Sequence, residues 1–206
     1  MFTFLVKGGP VMIPIIIGSI IGMAIVLERF WVFRHMKLNA YDFVQEIFKE
    51  FKLNKIKNAL ELCERYSRNP LAAVFKIGIE RRELPLDRLE KILEQAGNNQ
   101  VQKLEKHLGL LVSIVSIEPL LGFLGTITGL IRSFMSWEQA GTNVTVSTLA
   151  AGIYEAMITT AAGLSIAIPL YLCYHYFIGR IKAASNELNN HCIQLLELIA
   201  EAKGGV

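Results

Sequence analysis

The chain has 206 residues, is 52% hydrophobic, and carries 19% charged residues with a formal net charge of +3; its mean hydropathy is +0.41. Charge is segregated, nearly absent from three stretches and dense elsewhere. A helix needs about 20 apolar residues to cross the roughly 30 Å hydrocarbon layer of a bilayer, so three such stretches exclude an ordinary soluble domain and predict an all-α membrane protein with three transmembrane helices.

Residues 1–10 form a short N-terminal flank, and span one covers 11–30. The twenty residues GGPVMIPIIIGSIIGMAIVL between Lys7 and Glu28 carry no charge. Pro14 falls in the first turn, where proline is tolerated. The following ERFWVFRHMK reads as a stop-transfer flank with interfacial aromatics, so the segment is expected to stay as a helix and not to be cleaved. Residues 31–107 form an insert of short helices. Asn39 is placed to cap AYDFVQEIFKEFK, and Asn54 to cap KIKNALELCERYS. Asn69-Pro70 opens LAAVFKIGIERR. From Pro85 onward, Leu86, Leu89, Leu93, Val101, Leu104, Leu108 and Leu111 keep a helical spacing. That spacing predicts one helix running from the insert into span two.

Span two covers 108–136, with Glu118 as its one carboxylate. The loop 137–147, WEQAGTNVTVS, separates it from span three at 148–178, in which Glu155 is the one acid. The tail 179–206 is expected to continue span three as a helix. Residues 31–107 hold fifteen Lys and Arg against eleven Asp and Glu, whereas 137–147 has no basic residue. Basic segments stay on the cytoplasmic side. The N-terminus and the 137–147 loop are therefore expected outside. The insert and the C-terminus, with the extensions of helices two and three, are expected in the cytoplasm. Cys63, Cys173 and Cys192 are odd in number, and no disulfide framework is expected. His35, His107, His175 and His191 lack ligand spacing, so no metal site is expected. Asn143-Val144-Thr145 matches a glycosylation sequon, a pattern common by chance. No nucleotide loop or nucleophile–base pairing is present, so no cofactor, nucleic-acid partner or enzymatic activity is expected.

A charged group near the bilayer centre costs at least ~2.5–3.5 kcal/mol. A carboxylate held there is neutral, paired or facing a water-filled cavity. Glu155 lies about 12 Å inside span three by helical rise. It is a candidate proton carrier; Arg132, the one basic residue at similar depth, is the candidate partner if it is instead pinned. Glu118 precedes Pro119 near the inner boundary, where it can reach interfacial water or pair with Lys106 or Arg180. Span two places Gly122, Thr126, Gly129 and Ser133 on one face. Span three does the same with Thr148, Gly152, Glu155, Thr159 and Ala162. The glycines, Gly125 and Gly163 included, suit close helix packing; Thr126 and Thr159 also suit a polar lining around Glu155. Helical rotation puts Thr159, not Thr160, on the face of Glu155.

PLLGFLGTITGLIRSF (119–134) and LAAGIYEAMITTAAGLSIAIPLYLCYHYF (149–177) resemble the paired signatures of the ExbB/TolQ/MotA proton-channel family. The opening KGGPVMIPIIIGSIIGMAIVLERFWVFR resembles its short ExbB-like branch. The resemblance implies a subunit of the bacterial inner membrane with a periplasmic N-terminus, assembled as a ring of about five copies. Helices two and three would line a pore occupied by an ExbD/TolR-type single-span partner, and the transported ion would be the proton. Motion would pass to a TonB- or TolA-type protein that serves outer-membrane transport or envelope integrity. On this resemblance Glu155 matches the family's third-helix glutamate, Thr126 the threonine of the GTxxG element, and Thr160 the threonine five residues after the glutamate. Thr160 can alternatively face a neighbouring subunit. The family usually carries a small residue where this chain has Glu118. ExbB and TolQ branches are not separated by these residues. Two rivals remain: a flagellar, MotA-type stator subunit and a passive membrane scaffold. The first is disfavoured by three spans and by Glu155.

Overall fold

The computed structural model describes residues 8–36, 40–140 and 146–204, and these contain seven helices and no strand. In chain order they are α1 (Met12–His35), α2 (Ala40–Lys52), α3 (Ile56–Arg65), α4 (Pro70–Glu80), α5 (Leu86–Glu105), α6 (Leu108–Ala140) and α7 (Val146–Gly204). Three of the helical stretches, containing α1, α6 and α7, are long and apolar enough to cross a membrane. The chain divides into two compact units, Met1–Glu28 with His107–Tyr176 and Arg29–Lys106 with Phe177–Val206.

The first unit holds the apolar parts of α1, α6 and α7. Only 22% to 28% of the most apolar window in each stretch is buried within the chain. Most of that surface, including Ile20, Leu120, Phe123, Met157 and Leu172, is exposed and suited to lipid tails or to other helices. The helices approach closely where side chains are absent. A Cβ on Gly163 would lie 2.5 Å from the Glu118 carbonyl oxygen, and one on Gly129 3.0 Å from the Gly152 carbonyl oxygen. One on Gly122 would meet Thr159 O at 3.0 Å, and Gly125 and Gly152 face the side chains of Thr159 and Ser133. All five packing glycines thus lie in the α6–α7 contact, where a methyl group would force the backbones apart.

The second unit is a helical bundle with its own core. In α2, Phe43, Val44, Ile47 and Phe51 repeat at one helical face and are buried. They join Leu62 and Cys63 of α3, Val74, Phe75 and Ile79 of α4, and Leu89 and Leu93 of α5. The end of α7 closes this core with Leu188, Leu195, Leu198 and Ile199, spaced so that one stripe of the helix faces inward. The insert and the end of α7 thus form a packed domain.

Of the local expectations, one holds and two are corrected. Asn69 caps α4, its Oδ1 accepting from Leu71 N at 2.9 Å with Pro70 in the first turn; the cap placed at Asn39 lies outside the described residues. Asn54 does not cap α3. It adopts φ 56° and its N–H donates to Phe51 O at 3.0 Å, so it terminates α2 in the left-handed conformation that Asn tolerates. Lys55 then stands at the α3 N-cap without a side-chain bond. The helix expected to run unbroken from Pro85 into span two is interrupted at Lys106–His107, where Lys106 has φ −49° and ψ 134° and His107 has φ 64°. The break is supported on both sides by side chains. Arg29 Nη1 donates to Lys103 O and Leu104 O at 3.3 Å, satisfying carbonyls freed at the α5 end. His107 Nδ1 lies 2.8 Å from Glu28 Oε2. Helix α7, by contrast, runs unbroken for 59 residues despite Pro169, about 88 Å at the α-helical rise.

Candidate functional site

The α6–α7 contact carries its polar groups at two levels. At one, Arg132 Nη1 donates to Glu155 Oε1 at 2.7 Å. The carboxylate side chain is 22% exposed and the guanidinium 49%, so the pair lies at the edge of the helix contact and not in its centre. Gly9 closes over it with φ +67°, and a Cβ there would fall on the Glu155 carboxyl and 3.2 Å from Arg132 Nη1. Only glycine combines that conformation with that approach. The Gly8-Gly9-Pro10 turn that opens α1 is thus part of the site, which the sequence reading treats as a flank; the two glycines before a proline are the signal that could have found it.

At the second level, the hydroxyls of Thr126 and Thr160 hydrogen-bond directly to each other across the two helices. Thr126 Oγ1 also lies 3.3 Å from Gly122 O and from Ala156 O, and Thr160 Oγ1 3.1 Å from Gly122 O, alternative acceptors for the proton that the pair does not share. The five residues from Glu155 to Thr160 span about 7.5 Å along the axis. Thr159 is 0% exposed. Its Oγ1 donates to Ala156 O at 2.9 Å, and its side chain fills the space opposite Gly125. Of the two threonines, Thr160 meets a polar group of the other helix and Thr159 packs. Thr160 therefore makes its hydroxyl contact within its own chain, because Gly122 and Gly125 let α7 lie close enough to α6 for both threonines to enter the contact. The side chain of Thr148 lies outside the described residues, as does the 143–145 sequon.

Glu118 departs from its expected surroundings. It is 1% exposed, and its Oε2 has no hydrogen-bond partner among the described residues. Its carboxyl faces Gly18 of α1, whose missing Cβ leaves the room it occupies. Among the described residues it therefore meets no basic partner, and it is closed off from the surface of the chain. The bare face of Gly18 draws it into the α1–α6 contact. Ser133 Oγ, beside Gly152, is likewise buried without a partner among the described residues.

Comparison with known proteins matches residues 66–190 to the MotA/TolQ/ExbB proton channel family. The chain is 29% identical over 171 residues to the ExbB-like 3 biopolymer transport protein of Synechocystis sp., covering 82% of this chain and 81% of that one. The ExbB-like 1 protein of the same organism is 27% identical over 175 residues, covering 84% of this chain and 68% of the relative. The Tol-Pal system protein TolQ of Haemophilus influenzae is 27% identical over 191 residues, covering 87% and 83%. With the matched region exceeding half of its length and containing Thr126, Glu155 and Thr160, this chain belongs to the MotA/TolQ/ExbB proton channel family.

Proposed function

We propose that this chain is the pore-forming subunit of an inner-membrane motor that couples proton movement to mechanical work on a TonB- or TolA-type protein. The observation that carries the reading is the joint placement of Glu155 with the bonded pair Thr126–Thr160 in one glycine-lined helix contact. A carboxylate that gains and loses a proton there, about 7.5 Å along the helix axis from hydroxyls that both donate and accept, is one end of a relay. Arg132, 2.7 Å away, is the counter-charge beside it. One elementary charge moved through the membrane field is worth about 2.3 kcal/mol per 100 mV, which is enough to bias a rotation or piston step without covalent chemistry or a cofactor.

In this reading the N-terminus and residues 137–147 face the periplasm, while the second unit lies in the cytoplasm, in keeping with its excess of Lys and Arg. The uncovered apolar faces of the three spans support assembly as a ring of about five copies around an ExbD/TolR-type single-span partner. A second reading has an observation of its own: the 2.7 Å pair of Arg132 with Glu155 also suits a carboxylate pinned for structure in a passive scaffold.

Glu155→Gln separates the two. In cells whose energy-dependent uptake or envelope maintenance relies on this chain, the variant is expected to assemble, as seen by native mass of the co-purified complex, and to be inactive. Wild-type activity of Glu155→Gln or Glu155→Ala would overturn the proton-relay reading, and a monomer in mild detergent would overturn the ring.

A further inference from the structure

The last two turns of α1 leave the apolar stretch at Arg29 and form one wall of a cavity of about 510 Å³ within the second unit. Its other walls are the turn that opens α4, with Ser67, Arg68 and Pro70, and the end of α5, with Gln100, Lys103 and Leu104. The lining brings together Arg29, His35, Arg68 and Lys103 and includes no Asp or Glu. Two other charged clefts of the same unit each include a glutamate, Glu83 in one and Glu201 in the other. Arg29 is 3% exposed and is fixed by its bonds to Lys103 O and Leu104 O, so one cation stands at the floor of the cavity in a set position. Arg68 and Lys103 are exposed at the rim. The N-terminus of α4, capped by Asn69, adds the positive end of a helix dipole.

The rest of the lining is apolar: Trp31, Val32 and Met36 of α1 with Leu104. Trp31 is 59% exposed, and its ring packs 4.4 Å from that of His35. A tryptophan one turn beyond an apolar span is an interfacial residue, placed at the depth of lipid headgroups. A soluble anion has no use for that wall, whereas a molecule with a phosphate at one end and hydrocarbon at the other matches both halves. Basic pockets beside transmembrane helices take phospholipid heads on the same physical grounds.

We infer that this cavity binds the phosphate of an anionic phospholipid headgroup, with Arg29, Arg68 and Lys103 around the phosphate and Trp31 against the glycerol and upper acyl region. Bound there, the lipid ties the end of α1 to the α4 turn and the end of α5. The inference does not depend on proton transport through Glu155.

The test uses the full chain in its assembled form, returned to nanodiscs of phosphatidylcholine with or without phosphatidylglycerol. Lipid retention is read by native mass spectrometry. Phosphatidylglycerol is expected to be retained over phosphatidylcholine by at least about tenfold, and the double variant Arg68→Gln/Lys103→Gln to lose that preference. Both substituted side chains are exposed, so folding is spared, and an unchanged oligomeric mass verifies it. Lys57→Gln/Lys91→Gln removes the same charge away from the cavity and is expected to keep the preference. Equal retention of the two lipids, or the same loss in both double variants, would contradict a built site. Inorganic phosphate is the third arm: displacement of phosphatidylglycerol by millimolar phosphate would make the occupant a soluble anion and overturn the lipid assignment.

Discussion

Arg132 Nη1 lies 2.7 Å from Glu155 Oε1, joining the one basic residue of span two to the one acid of span three. The guanidinium is half-exposed and the carboxylate less so, so removing either partner has unequal consequences. Losing Arg132 leaves a carboxylate in a poorly solvated position, whereas losing Glu155 leaves a cation that can reach toward water.

Arg132→Gln is therefore expected to keep the assembly and lower the coupled activity partially, by about tenfold, which corresponds to about 1.4 kcal/mol in a barrier. Glu155→Gln is expected to abolish it. Activity assays of the two variants at matched membrane content check the order. Equal loss in both would mean the pair acts as a single structural pin.

Thr126 and Thr160 share one hydrogen bond across α6 and α7, so their effects are coupled and not additive. Thr126→Ala and Thr160→Ala are each expected to lower activity, and the double variant to add little further. A double-mutant cycle on coupled transport measures this. Thr159→Ser, which keeps the hydroxyl that bonds Ala156 O, is expected to affect thermal stability more than rate.

The glycines of the spans differ in what a methyl group would meet. At Gly163 it meets the Glu118 carbonyl oxygen at 2.5 Å, a backbone atom that cannot turn away; at Gly109 it meets nothing within 4 Å. Gly163→Ala is expected to cost about 1–3 kcal/mol by overpacking. Gly109→Ala is expected to be neutral or to stabilise by up to about 1 kcal/mol through helix propensity. Thermal unfolding in detergent distinguishes them.

Gly18 and Glu118 form a complementary pair in the α1–α6 contact. Gly18→Ala is expected to destabilise the fold by driving the carboxyl out of its space, and Glu118→Ala to relieve most of that cost in the double variant. Thermal unfolding of the two single variants and the double variant measures the coupling. Additive single effects would show that the two residues do not share the contact.

Cys63 is buried in the core of the second unit, and burial pushes its thiol up to about 12. The thiolate is the reactive form, so native protein at pH 8 is expected to resist alkylation at Cys63 until it is unfolded. The unfolded thiol ionises near its ordinary value of 9.0. Between about pH 9 and pH 12 the unfolded chain thus holds fewer protons than the folded one, and stability falls as pH rises. Cys63→Ala is expected to show a shallower loss over that window, read by mass-resolved labelling and by denaturant unfolding.

The three spans were legible because charge depletion along the chain is a one-dimensional property. Arg132 as a partner for Glu155 was legible from depth alone. What sequence spacing hid depends on approach between helices. Thr160 enters the α6–α7 contact because Gly122 and Gly125 lack side chains, which a single helix's rotation does not reveal. Glu118 turns toward Gly18, and Gly9 covers Glu155, because α1 packs on the pair of helices and not only on lipid. The break at His107 was hidden for a related reason: Leu104, Leu108 and Leu111 keep an unbroken apolar rhythm, while the interruption is supported by Arg29 and Glu28, distant in sequence.

In the proposed function Glu155 carries the proton. The most direct measurement is proton uptake into vesicles that contain the chain co-purified with its membrane partner, driven by an imposed potential and read with a pH-sensitive dye. Wild-type complex is expected to admit protons, and Glu155→Gln complex of the same native mass to fall to the level of protein-free vesicles. Wild-type flux through an intact Glu155→Gln assembly would show that Glu155 does not carry the proton.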